Sequence, residues 1–281
     1  MKSLLTKVLM IGFITTHLLG SGCGRAPSSL LRQGQLPIYD FPLYMTEGAT
    51  GRIVKFDRDR TRTVITEGLN DPRGVATDRF GNIYIAEYGA GRILKMKTGE
   101  TTYTVVKESL EQPSVLAVDS FGDLFVAQDG TKNITRVSDM KAYSTYDSIP
   151  TAFAFGVDNT PIIGLFNESL INWGWKGGSS VKSAILDAPV NASIDGTGRV
   201  YIAQGDPANG KVIRYDQREP GAPTEVANGL LGPAGIAVDL VGNMFVVEQG
   251  AERIVLITYD SKAYEWITGI EDPQYLAFTQ Y

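Results

Sequence analysis

Six side chains able to offer an oxygen to a hard cation recur along the chain about forty residues apart: Glu47, Glu87, Gln128, Asn167, Gln204 and Glu248. Carboxylate and carboxamide oxygens are the ligands that Ca²⁺ and related ions take, so their convergence would make a divalent-metal site able to assist hydrolysis. Comparison among the copies argues against this. Five positions after each Glu stands an arginine: Arg52 after Glu47, Arg92 after Glu87, Arg253 after Glu248. The amides differ: Gln128 is followed at that spacing by Asn133, Gln204 by Lys211 two positions later, and Asn167 by no cation. A Glu facing its own Arg across a short hairpin makes a cross-strand pair, and the guanidinium repels an incoming metal. Pairing is therefore the expected role, and no cofactor is expected. Glu47, Glu87, Asn167 and Glu248 stand as the alternative ligand set for calcium or another divalent cation.

Other chemistry is limited by what the sequence lacks. Its single histidine, His17, lies in the N-terminal segment, which leaves the rest of the chain without Ser–His catalysis or His-ligated zinc. Gly89-Ala90-Gly91 sits in a hairpin pattern rather than ahead of a helix, so it is no phosphate cradle. No catalytic residue is assigned. The candidates for ligand binding flank proline turns, where the copies differ from one another: Asp71, Arg73, Ser114, Asn191, Gln274 and Tyr275, with Tyr88 beside Glu87. Trp173 and Trp175 are two apart on one strand and share a face, where they pack between sheets or offer a stacking platform for a sugar or peptide.

The elements that position these residues are repeats. Each copy opens at a proline: Pro72, Pro113, Pro150, Pro189, Pro233 and Pro273. An apolar strand then runs to Asp78, Asp119, Asp158, Asp195 or Asp239, and a turn such as DRFGN or DLVGN follows. Asp caps its own turn and Gly supplies positive φ, so these aspartates are read as structural. An alternating strand comes next (NIYIAE, DLFVAQ, RVYIAQ, NMFVVE), then a third beginning RILKM or ERIVLI, then a less regular fourth. Four strands in about forty residues is the pattern of a β-propeller blade. The segment PLYMTEGATGRIVKF supplies the later strands of a blade that lacks its first, and DPQYLAFTQY supplies a first strand that lacks the rest. The expected fold is all-β: a six-bladed propeller of four-stranded blades, closed by pairing of its N-terminal strands with the C-terminal strand.

Residues 1–22 carry Lys2 and Lys7 before the apolar run Val8–Leu19, and Gly20-Ser21-Gly22 precedes the sole cysteine, Cys23. This resembles a bacterial lipoprotein signal with Cys23 as the lipidated residue, although the box places Leu19 one position further from the Cys than usual. Residues 23–40 read as a tether and 41–281 as the propeller. By the same resemblance, Gly24 after the Cys implies an outer-membrane destination. With a net charge of −5 and no basic cluster, nucleic-acid binding has no electrostatic footprint.

The repeat consensus, PxGIAVDxxGNxYVxE followed by Arg-Ile, resembles the NHL-repeat family of six-bladed propellers over nearly the whole chain from Phe41. The copy 149–187 departs from it, lacking the turn Gly and the Arg-Ile. Fold is what that resemblance implies, since propellers host enzymes and scaffolds alike. Propellers related to gluconolactonases and regucalcin hold a divalent ion in the channel, which implies a lactonase or other hydrolase as the alternative activity. The streptogramin-lyase type relies on His and is not supported. The expected function is a non-enzymatic, envelope-anchored module binding a protein or small ligand, monomeric, and touching the membrane only through its anchor.

Overall fold

The structure, a computed structural model, describes residues 42–156, 159–166, 170–173, 181–185, 188–216 and 223–279, together with Gly24 and Arg25. The signal segment, Cys23, most of the tether, Asp158, Asn167 and Trp175 lie outside the described residues.

The chain is an all-β propeller of four-stranded blades, and the described strands form six hydrogen-bonded sheets. The first sheet is Pro72–Thr77, Asn82–Glu87, Arg92–Lys97 and Tyr103–Lys107. The second is Pro113–Val118, Leu124–Gln128, Asn133–Arg136 and Lys141–Thr145. The third is Pro150–Phe155, Pro161–Leu165, Leu170–Trp173 and Val181–Ile185. The fourth is Pro189–Ile194, Arg199–Gln204, Gly210–Asp216 and Thr224–Leu230. The fifth is Pro233–Val238, Met244–Glu248, Arg253–Ile257 and Ala263–Thr268, with Gly24–Arg25 added in parallel at its outer edge. The sixth joins Pro273–Phe278 to Leu43–Glu47, Arg52–Phe56 and Arg62–Thr66. In that sheet Leu43 faces Phe278 and Glu47 faces Pro273, so the two ends of the chain meet in one ladder.

Strand alternation decides which neighbour each residue packs against. In the fifth sheet, Met244 and Val246 pack into the fourth, while Phe245 and Val247 pack into the sixth. All six apolar clusters are shared in this way, each between two adjacent sheets, running from first and second round to sixth and first. Because both faces are covered, the second strands read as nearly unbroken apolar runs.

Local chemistry fixes the two ends of every inner strand. At one end, the residue before the proline is left-handed in five copies: φ is 48° at Asp71, 55° at Gln112, 45° at Ala188, 57° at Gly232 and 45° at Asp272. Just after the proline the register slips in all six sheets, and the inner strand gains one extra residue over its partner. Such bulges re-aim side chains, and Arg73, Ser114, Gln274 and Tyr275 all fall within them. At the other end, the turn aspartates cap as expected. Asp78 accepts from the Phe80 and Asn82 backbone N–H groups at 2.9 Å each, and from the Tyr84 hydroxyl at 3.0 Å. Asp195 repeats the pattern with the Tyr201 hydroxyl, and Asp239 repeats its backbone part. Burial pushes the Asp78 carboxyl up, but its hydrogen bonds outweigh burial and hold it below the ordinary value. The Tyr84 hydroxyl is pushed up to about 12 by burial and by that carboxylate.

Deleting residues 272–281 would strip Leu276 and Phe278 from the core and leave Leu43–Glu47 with an open edge. The expected outcome is loss of the cooperative melt, or oligomers in sedimentation. A monomer with an unchanged melting temperature would contradict it.

Candidate functional site

Among the described residues, five of the repeated oxygen-bearing positions, Glu47, Glu87, Gln128, Gln204 and Glu248, end the second strands, close to the bulges. Glu87 lies opposite Arg92 in the ladder and Glu248 opposite Arg253. The Glu87 carboxylate accepts from Arg92 Nε at 2.5 Å and from the Asn70 backbone N–H at 2.7 Å. Glu248 is held by Arg253 and by the Leu231 backbone N–H at 2.8 Å. Gln128 accepts from the Glu111 backbone N–H at 3.0 Å and donates to Asn133 Oδ1 at 3.1 Å. The position thus ties the second strand to the loop that leads into the inner strand. Glu47 departs from expectation in its partner. Arg52 is opposite it in the ladder but reaches only 4.0 Å, and Arg62 from the outermost strand makes the close contact. Arg52 instead lies between Glu47, Glu67 and Glu271.

These contacts test the metal alternative. Glu47, Glu87 and Glu248 are completely or almost completely buried, and each is neutralised by an arginine in its own sheet. Among the described residues no three His, Cys, Asp or Glu side chains converge as a cation would require. A divalent ion does not fit this donor set, and Asn167 lies outside the described residues.

The rim residues do converge. Arg73 donates from Nε and Nη2 to Asp71 Oδ2 at 3.2 and 3.1 Å. Its guanidinium stacks 3.4 Å from the centre of the Tyr88 ring, a cation–π contact, and its Nη1 lies 3.9 Å from Asp129 Oδ2. Asp129 Oδ1 accepts from the Ser114 hydroxyl at 2.5 Å. Burial pushes the Asp129 carboxyl above its ordinary value, despite Ser114, Arg73 and Tyr88 beside it. Burial likewise raises the Tyr88 hydroxyl. A second network adjoins the first. Asp272 Oδ1 accepts from Gln274 Nε2 and Gln249 Nε2, both at 2.8 Å, and its Oδ2 accepts from the Ala49 backbone N–H at 2.8 Å. The two networks meet over Gly48, where a Cβ would lie 2.8 Å from Asp272, 3.1 Å from Gln274 and 3.3 Å from Asp71. Only glycine leaves that floor open.

Below the rim, the inner strands enclose a channel of about 430 Å³. Tyr275 and Asn191 line it, with Phe153, Phe155 and Ser193 further along. Burial lifts the Tyr275 hydroxyl above its usual range, and the Asp129 charge adds to this. Of the candidates from sequence, Asp71, Arg73, Tyr88 and Ser114 form one cluster, Gln274 joins it through Gly48, and Tyr275 and Asn191 belong to the channel. Trp173 pairs with Ile162 and Val181 in the third sheet, away from this cluster; Trp175 lies outside the described residues. Sequence reasoning missed Asp129, Gln249 and Asp272. A signal existed for the first two: like Tyr88, they directly follow the repeated oxygen-bearing position, and this next residue varies where the position itself is constrained.

Replacing Glu87 with Ala would strand a buried N–H and the Arg92 cation, at a cost of about 1–3 kcal/mol in denaturant unfolding. Neither EDTA nor added calcium is expected to move the melting temperature of the parent protein, and a calcium-dependent rise would restore the metal reading.

Comparison with solved structures shows likeness of fold. Virginiamycin B lyase from Staphylococcus aureus is 18% identical with a TM-score of 0.57, over 74% of this chain and 77% of that one. A catalytically inactive histidine-to-alanine form of the same lyase, with quinupristin, gives 18% identity and a TM-score of 0.56, over 74% of this chain and 77% of that one. A gluconolactonase from Xanthomonas campestris is 14% identical with a TM-score of 0.64, over 85% of this chain and 89% of that one. No family model matches the chain, and no curated protein matches it. The only histidine here is His17, so the fold is shared with the lyase while no histidine is present in the propeller to act.

Proposed function

We propose that the Arg73 cluster is a small-molecule site at the channel mouth and that the protein is an enzyme of the hydrolase or lactonase class working there by acid–base chemistry. The observation that carries this is the pairing of opposite roles within one contact distance. Asp129, its carboxyl raised by burial, is a stronger base than an ordinary carboxylate and is suited to accept a proton. Arg73, one-third exposed and aligned by Asp71 and Tyr88, is suited to bind an anion or a developing oxyanion. In a lactone, water would attack the ring carbonyl while Asp129 takes its proton, and Asp129 would return that proton to the ring oxygen as the C–O bond breaks, giving a hydroxy acid. The solved neighbours support an enzyme over a scaffold, since a lyase and a gluconolactonase share the fold. Because the donor set does not fit a divalent ion, the chemistry proposed is metal-independent. The wider setting belongs to the same reading: a six-bladed ring of the NHL type, closed through its sixth sheet and anchored in the envelope at Cys23.

Turnover of a panel of sugar-acid lactones and simple esters, with and without EDTA, tests it. The expected result is hydrolysis that survives EDTA, with kcat/KM lowered by about a hundredfold or more in Asp129→Asn. Activity should rise with pH through a value above the ordinary carboxylate range, because the deprotonated form is the base. The stability effect has the opposite sign. A carboxyl whose folded pKa is raised contributes stability below its unfolded pKa and loses it as pH rises through the folded value. Asp129→Asn should therefore melt no lower than the parent at pH 7. EDTA-sensitive turnover would overturn the metal-free mechanism. No turnover with any substrate, alongside ligand binding that Asp129→Asn leaves intact, would return the protein to a scaffold.

A further inference from the structure

We propose that the propeller face opposite the Arg73 cluster rests on a lipid bilayer. Among the described residues, the four most exposed large apolar side chains are Phe121 at 76%, Tyr259 at 71%, Phe80 at 60% and Leu240 at 50%. All four lie on this one face. Phe80, Phe121 and Leu240 occupy the turns between inner and second strands, and Tyr259 occupies a turn between the third and outermost strands of the fifth sheet. The turns do not require them. Their geometry is set by the capping Asp and by Gly81, Gly122 and Gly242 at φ 75°, 90° and 94°, and the fourth sheet makes the same turn with Gly196 and Thr197. Neighbouring turns are in touch: a Cβ on Gly122 would lie 3.5 Å from the Phe80 ring, and the Leu240 carbonyl accepts from the Gly196 N–H at 3.2 Å. The apolar side chains are therefore gathered around one mouth of the channel, which Leu240 also lines.

The occupant follows from where the chain enters. Leu43 pairs with Phe278 and the Pro42 carbonyl accepts from the Thr279 N–H at 3.1 Å, so the segment preceding the propeller joins it on this same face. Gly24 pairs with Tyr264, just beyond the turn that carries Tyr259. The chain preceding Pro42 therefore attaches to the propeller at the face that bears the exposed rings, and its sequence includes the apolar run Val8–Leu19. Charges here suit a headgroup layer. The Arg79 guanidinium sits 5.0 Å from the centre of the Phe80 ring, and Lys262, 66% exposed at its side chain, pairs with Asp260 beside Tyr259. Aromatic and aliphatic tips flanked by cations enter the boundary between headgroups and acyl chains. Contact would then extend beyond the anchor expected at Cys23, require no lipid on that residue, and turn the Arg73 mouth away from the membrane.

The test uses the full chain bound to phosphatidylethanolamine–phosphatidylglycerol vesicles that carry a nitroxide-headgroup lipid. A fluorophore is placed on Phe121→Cys, Tyr259→Cys or, on the opposite face, Leu231→Cys, with the parent chain as the background for Cys23. Quenching at 121 and 259 is expected to exceed that at 231 by at least about twofold. Equal quenching at the three sites, or more at 231, would overturn the proposal. Combining Phe80→Ser, Phe121→Ser and Leu240→Ser should reduce quenching at 259 without lowering the melting temperature. Concentration-dependent self-association without vesicles, abolished by that triple variant, would assign the face to a second copy and also overturn it.

Discussion

A four-stranded sheet that is apolar on both faces cannot stand alone in water; each face must be covered by another such sheet, and that one by the next. This requirement governs the whole molecule. The clusters run sheet to sheet until the last is shared with the first, and the fully buried side chains sit between sheets instead of in one central core. Burying a large apolar side chain contributes roughly 1.5–3 kcal/mol, so the stability of each blade resides mostly in its neighbours. Phe245 illustrates the dependence. Its ring packs edge-on against Trp266 in its own sheet at 4.9 Å and against Phe278 at 5.3 Å, which ties the fifth sheet to the terminal strand.

That packing leaves the inner ends of the strands to do other things. The proline bulge takes one or two inner-strand residues out of regular pairing in every sheet, and in five copies a left-handed residue before the proline turns the chain sharply. Since the same backbone recurs in copies with unrelated side chains, it belongs to the architecture, and the side chains it presents can vary without disturbing the ladder. Arg73, Ser114 and Gln274 are instances of one backbone position carrying different chemistry.

Much of this was legible in the residues. Strand identity followed from period-two alternation, and the turn aspartates from their fixed distance to Gly. Glu87–Arg92 and Glu248–Arg253 could be read because the partners are directly opposite across a tight hairpin, a local relation that spacing encodes. Glu47–Arg62 could not be, because it skips the adjacent strand and depends on how a long side chain reaches across the sheet. The Asp129–Ser114–Arg73 contact was hidden for a different reason: it joins two neighbouring blades, and no spacing within one repeat reports which residues face each other across a blade interface. The change of chemistry after the constrained position, Tyr88 in one copy and Asp129 in the next, was visible but carried meaning only once the two blades were side by side.

The sixth sheet has a consequence for the order in which the molecule can be made. Its three outer strands, Leu43–Glu47, Arg52–Phe56 and Arg62–Thr66, are among the first parts of the propeller to be synthesised, and their inner partner, Pro273–Phe278, is the last. Until that final segment emerges, the earliest strands have no ladder to complete and the first and fifth sheets have no shared neighbour. The contacts that join this strand to the early ones span more than two hundred residues of sequence. Completion of that sheet therefore waits on Pro273–Phe278, a long-range pairing of the kind whose loop-closure entropy slows folding.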